Sequence, residues 1–184
     1  MRFTFIFWFA LLVLPAVSGG RSEPPRLVGD PVKGTSPLGA NDYGIVIGIE
    51  DYTDERVPDV LNASNDALAF YELLLYTRKV KSDRLENLFE HSGLRAAHIR
   101  RAAERAGENT GPDDIVWIYY SGHGAASMDE SSEPTLLDSS FNNDPVVFDT
   151  ASIQVSEIVE LASANGARVL LVLDTCYSGA ARSS

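Results

Sequence analysis

Cys176 is the single cysteine of the 184-residue chain and sits in Asp174-Thr175-Cys176-Tyr177-Ser178-Gly179. As a thiolate a cysteine attacks carbonyl carbon, and a nearby imidazole can generate the thiolate and later protonate a leaving amine. His123 is the histidine placed for that role, because Gly122 and Gly124 flank it and let the main chain turn sharply and admit a substrate. Acyl transfer through a sulfur is the chemistry that such a pair supports. A free cysteine is often only a small buried apolar residue. Against that, Cys176 lies just past an apolar run and before a Tyr-Ser-Gly turn, and it is the lone thiol of the chain. His91 and His98 fall in a strand-to-helix stretch and on a helix, and read as surface or packing residues.

The elements that must carry the pair are short apolar runs alternating with amphipathic stretches. Residues 43–49 (YGIVIGI), 115–120 (IVWIYY) and 168–173 (RVLLVL) read as buried parallel strands, with 85–89 a weaker one. A helix capped by Ser64 turns Ala67, Leu68, Tyr71, Leu74 and Leu75 inward. A second, over 95–106, buries Ile99, Ala102, Ala103 and Ala106. A third, capped by Ser156, carries Ile158, Leu161 and Ala162. Strand and helix in alternation predict an open, mostly parallel α/β sheet. Active groups gather beyond the carboxyl ends of such strands. His123 and Cys176 each follow one, so neighbouring strands would set them across one crevice.

Composition agrees with one globular domain: 45% of the residues are apolar and 22% charged. The net charge of −11 argues against nucleic acid as a partner, which needs a basic face. The N-terminus reads as a secretory signal peptide over residues 1–18, with Arg2, an apolar run over 3–14 and a small-x-small site at Ala16-Val17-Ser18. The run is short for a membrane span, so the membrane would be a partner only if this segment stays uncleaved. The expected product is exported, secreted or periplasmic. Residues 19–41, with Pro24, Pro25, Pro31 and Pro37, read as a linker, and 42–184 as the catalytic domain.

The blocks Tyr119-Tyr120-Ser121-Gly122-His123-Gly124 and Asp174-Thr175-Cys176-Tyr177-Ser178-Gly179, each after a strand, resemble the two catalytic blocks of caspase-fold cysteine peptidases of the metacaspase branch and its bacterial relatives. The likeness covers about residues 43–179, including the Val-Ile-Gly-Ile-Glu-Asp-Tyr opening and the stretch Glu133-Pro134-Thr135-Leu136-Leu137. It implies a caspase-like three-layer sandwich and a cysteine endopeptidase. Cys176 would be the nucleophile, His123 the acid and base, and the N–H groups of Gly124 and Cys176 the oxyanion hole.

Asp174, two residues before Cys176, would share its side of an extended strand. A carboxylate there repels acidic substrates and suits a cationic side chain, arginine above all. Caspases that cut after aspartate carry glutamine at this place, and the aspartate resembles the metacaspase version. Asp66 aligns with the second acidic residue of the metacaspase specificity pocket. Its plain alternative is a first-turn carboxylate stabilising a helix dipole by about 0.3–1 kcal/mol. The expected substrates are therefore proteins or peptides cut after Arg or Lys. From Glu108 to Glu160 there are eleven acidic residues and no Lys or Arg, which would attract such substrates.

Many metacaspases bind calcium. Asp129, Asp138, Asp144 and Asp149 are ligands by type, but the usual paired aspartates are replaced by Phe148-Asp149-Thr150-Ala151-Ser152. No metal ligand and no cofactor are therefore assigned. Eight residues follow Cys176, whereas the family continues with further strands. The resemblance thus implies a domain incomplete at its C-terminus, completed by another segment or a partner chain. Two alternatives stay open: an inactive caspase-like binding or scaffold module, and another thiol hydrolase or transferase using the same pair.

Overall fold

Residues 39–90, 93–126, 133–142 and 144–175 are described by the computed structural model. The signal-peptide segment, the linker before Gly39, His91, Asp129 and Cys176 lie outside the described residues.

Strand β1 (Tyr43–Gly48) is buried throughout, as a continuous apolar run demands. It pairs in parallel with β2 (Leu85–Leu88) on one side and with β3 (Ile115–Ser121) on the other. The latter pairs in parallel with β7 (Arg168–Asp174), giving the order β2-β1-β3-β7. Period-two alternation divides the side chains between two faces. Ile45, Ile47, Ile118, Tyr120, Leu171 and Leu173 face one apolar core. Val46, Trp117, Tyr119 and Val172 face the other. Helices α2 (Ala96–Asn109) and α4 (Val155–Ala162) cover the first face, and α1 (Ala63–Glu72) the second. The expected α/β three-layer sandwich with a mostly parallel sheet is the observed one. Strand β7 is only partly covered, with Leu170 43% exposed, because among the described residues it has a strand neighbour on one side only.

Three short strands, β4 (Gly124–Ala126), β5 (Pro134–Leu137) and β6 (Ser152–Gln154), form a separate antiparallel sheet. At three or four residues each they are too brief to show a period in sequence. Between β5 and β6 lies one helical turn, α3 (Pro145–Phe148), capped by Asp144.

Both serine caps are displaced. Helix α1 starts after Asn62, whose backbone is left-handed (φ 71°), and Ser64 lies inside it, its N–H donating to the Glu50 carboxylate at 3.4 Å. A carboxylate from the preceding loop thus does what a serine hydroxyl would do. In α4, Gln154 takes the cap position, and the Ser156 N–H donates to Glu133 Oε1 at 2.8 Å. Leu68, expected inward, is 43% exposed. Phe70 turns inward in its place and stacks on Tyr119, with ring centroids 4.6 Å apart. A π-helical turn over Leu73–Thr77 then keeps Leu74 buried. The last residues of the expected linker, Gly39 to Asn41, are a turn closed by the Asp42 N–H on the Gly39 carbonyl (3.1 Å). No helix among the described residues is long and apolar enough to cross a membrane.

Candidate active site

Strand β3 ends at Ser121, level with Asp174 at the end of β7. At the next position the Gly122 N–H donates to the Asp174 carbonyl at 3.4 Å. Gly122 has φ +158°, and a Cβ there would lie 2.7 Å from the Tyr120 hydroxyl oxygen and 3.1 Å from that of Tyr52. Only glycine fits this approach, and it hands the chain to His123.

Buried phenols hold the His123 backbone on both sides. Its N–H donates to the Tyr52 oxygen at 2.7 Å, and its carbonyl accepts from the Tyr120 hydroxyl at 2.6 Å. Tyr120 also reaches the Leu137 carbonyl at 2.8 Å, and the Leu137 N–H donates to the His123 carbonyl at 3.1 Å. The small antiparallel sheet is thereby fastened to the histidine turn. Burial pushes Tyr52 up to about 12 and Tyr120 well above the ordinary phenol value, so both act as neutral groups at ordinary pH.

The imidazole is fixed as well. Its ring lies 4.8 Å from that of Tyr52 at 50°, and Nε2 is 2.7 Å from the Pro58 carbonyl oxygen. A carbonyl can only accept, so Nε2 carries the proton and the neutral ring offers Nδ1 as a base. Pro58 belongs to a loop closed by the Val60 N–H on the Glu50 carbonyl (2.9 Å) and the Val57 N–H on the Asp54 carbonyl (2.8 Å). No sequence pattern announces a carbonyl as partner, and neither Pro58 nor Tyr52 stood out.

Gly124 opens β4 and is buried. A Cβ on it would come 2.8 Å from the Thr175 Oγ1, so its main chain lies against the residue that precedes Cys176. The paired strands carry a constant offset, Ser121 facing Asp174. That offset is 53 residues (174 − 121), the same number that separates His123 from Cys176.

Asp174 is exposed at the end of β7 and accepts from the Tyr119 hydroxyl at 3.4 Å. Asp66 is exposed near the start of α1. Burial first, and then the charges of Asp174 and Asp66, push Tyr119 up to about 12. The two carboxylates expected to form a pocket therefore act on one phenol. Tyr119 was legible only as a strand residue, although period two already puts it on the side of Ser121 and Asp174.

Two of the aspartates considered for calcium, Asp138 and Asp144, hold backbone N–H groups. Asp138 is 1% exposed. Its Oδ2 accepts from the Ala96 N–H at 2.8 Å, at the start of α2, and its Oδ1 accepts from the Ser140 N–H (2.7 Å) and hydroxyl (2.6 Å). Asp144 accepts from the Val146 N–H at 2.9 Å, and Asp149 is exposed at the end of α3. No group of three or more His, Cys, Asp or Glu among the described residues could hold a metal. His98 accepts the Arg95 N–H on Nδ1 at 3.1 Å, a helix-start role. A cleft of about 350 Å³ beside the end of β1 is lined by Glu50, Asp51, Tyr52, Ser64 and Glu90 among others, and His123 is not in its wall.

Residues 44–183 match the family described as metacaspase, peptidase C14 domain. Among solved structures, protein GSU0716 from Geobacter sulfurreducens is similar, with 19% identity and a TM-score of 0.55. The match covers 76% of this chain and 51% of that one, so the chain spans about half the length of that structure, and the likeness is one of fold. A search of the curated proteins finds no match.

Proposed function

The chain belongs to the metacaspase, peptidase C14 domain family, a family of cysteine peptidases, and from that premise we propose that it is an endopeptidase working through Cys176 and His123. The observation that carries this reading is the fixed His123 imidazole, with Nε2 on the Pro58 carbonyl, two residues past a strand whose offset to its neighbour equals the His123–Cys176 separation in sequence.

In this mechanism His123 Nδ1 takes the thiol proton, and the Cys176 sulfur adds to the carbonyl carbon of the scissile bond. The developing oxyanion is met by the N–H groups of Gly124 and Cys176. His123 returns the proton to the departing amine as the carbon–nitrogen bond breaks, leaving a thioester. A water that gives its proton to His123 attacks the thioester, the carbon–sulfur bond breaks, and the acid leaves with the thiol restored. No step calls for a metal or cofactor.

The substrates in this reading are exported or extracellular proteins cut after Arg or Lys, with Asp66 and Asp174 receiving the cation. The two carboxylates and their shared neighbour Tyr119 support this preference, and the Arg2 to Ser18 segment supports export. The test is hydrolysis of fluorogenic peptides ending in Arg, Lys or Asp by the full chain. Cleavage after Arg and Lys, absent in a folded Cys176→Ala variant, supports the proposal. Equal turnover of Asp peptides would refute the pocket, and full activity of Cys176→Ala the mechanism.

A further inference from the structure

Asp66 and Asp174 share a neighbour that a two-carboxylate pocket leaves unused, the phenol of Tyr119. Tyr119 lies on the α1 face of β3, stacked on Phe70, which is one turn beyond Asp66 on that helix. At its other end its hydroxyl meets the Asp174 carboxylate. A phenol oxygen has one proton to give and two lone pairs to receive. With the proton directed to Asp174, the lone pairs of that oxygen are left for another donor, near the charges of Asp174 and Asp66.

We propose that Tyr119 is a specificity-determining residue of the cation pocket, its oxygen accepting one N–H of a substrate guanidinium while Asp66 and Asp174 take others. This rests on the reading of those two carboxylates as the pocket. The physical ground is donor geometry. A guanidinium presents five N–H donors in a rigid plane and needs acceptors at fixed places, whereas an ammonium has three donors that rotate to whatever is near. A neutral acceptor beside these carboxylates completes the set for arginine and adds little for lysine. Phenylalanine at 119 keeps the ring and its stacking but leaves a desolvated guanidinium N–H unpaired, and that loss falls on arginine substrates.

The measurement is kcat/KM of the full chain for matched Arg and Lys peptides, in wild type and in Tyr119→Phe, with thermal melting as a check on folding. Tyr119→Phe should lower the Arg value about tenfold and the Lys value less than about threefold, as expected for one lost hydrogen bond to a charged donor. Competition in the wild type by n-butylguanidine and n-butylamine gives the same answer without a variant, the guanidine binding the more tightly. An Arg/Lys ratio unchanged by Tyr119→Phe, or equal inhibition by the two probes, overturns the role of Tyr119. Asp174→Asn separates this from the parent reading. If that variant keeps a full preference for basic residues, the carboxylate pocket itself is wrong and the inference falls with it.

Discussion

The imidazole Nε2 of His123 lies 2.7 Å from the carbonyl oxygen of Pro58, and this one contact sets which nitrogen can do chemistry. A main-chain carbonyl has no titratable proton, so it fixes one tautomer of the neutral ring without adding a charge. Nitrogen-15 spectra of histidine-labelled protein should show neutral His123 with its proton on Nε2 and Nδ1 bare. A spectrum with the proton on Nδ1 would leave the proposed base already protonated and would remove the mechanism.

Tyr52 should matter to the histidine through its hydroxyl and not its ring. Tyr52→Phe keeps the ring contact of 4.8 Å but removes the acceptor of the His123 N–H. A buried N–H left unpaired costs about 1–3 kcal/mol. Urea denaturation should show a loss of that size, and kcat should fall with KM little changed. A variant as stable and active as wild type would mean that the phenol is a bystander.

The strand skeleton was readable because burial on both faces forces apolar runs, and 43–49, 115–120 and 168–173 became β1, β3 and β7. The positions of His123 and Asp174 at strand ends follow from those runs. What stayed hidden depends on contacts distant in sequence. Glu50 replaces Ser64 at the start of α1, Phe70 displaces Leu68 from the inner face by stacking on Tyr119, and Pro58 meets a ring 65 positions away. The antiparallel strands β4 to β6 rest on so few residues that only their pairing reveals them. Tyr52 and Tyr120, which clamp the histidine, look in sequence like any other core aromatic residues.

Alkaline pH should attack the fold through its phenols. Burial raises Tyr43, Tyr52 and Tyr119 to about 12 from the ordinary 10, and Tyr120 further. A raised value means that the folded state holds the proton more tightly than the unfolded chain. The resulting stabilisation is complete below pH 10 and is lost as pH climbs from 10 towards 12. Denaturation midpoints should fall over that interval, and these four of the seven tyrosines should ionise together with unfolding. Ionisation of all seven near pH 10 in still-folded protein would contradict the clamp around His123.

Asp138 offers a direct choice between a structural carboxylate and a calcium ligand. It is 1% exposed and accepts three hydrogen bonds, from Ala96 at the start of α2 and from the Ser140 N–H and hydroxyl. Removing a buried charged acceptor leaves those donors unpaired, at a cost of about 3 kcal/mol or more. Asp138→Ala should therefore lower stability by that amount in calcium-free buffer, measured by chemical denaturation. Calcium should raise the melting temperature of wild type and variant equally or not at all. A variant of unchanged intrinsic stability that has lost a calcium-dependent rise present in the wild type would move Asp138 from the frame of the fold into a metal site.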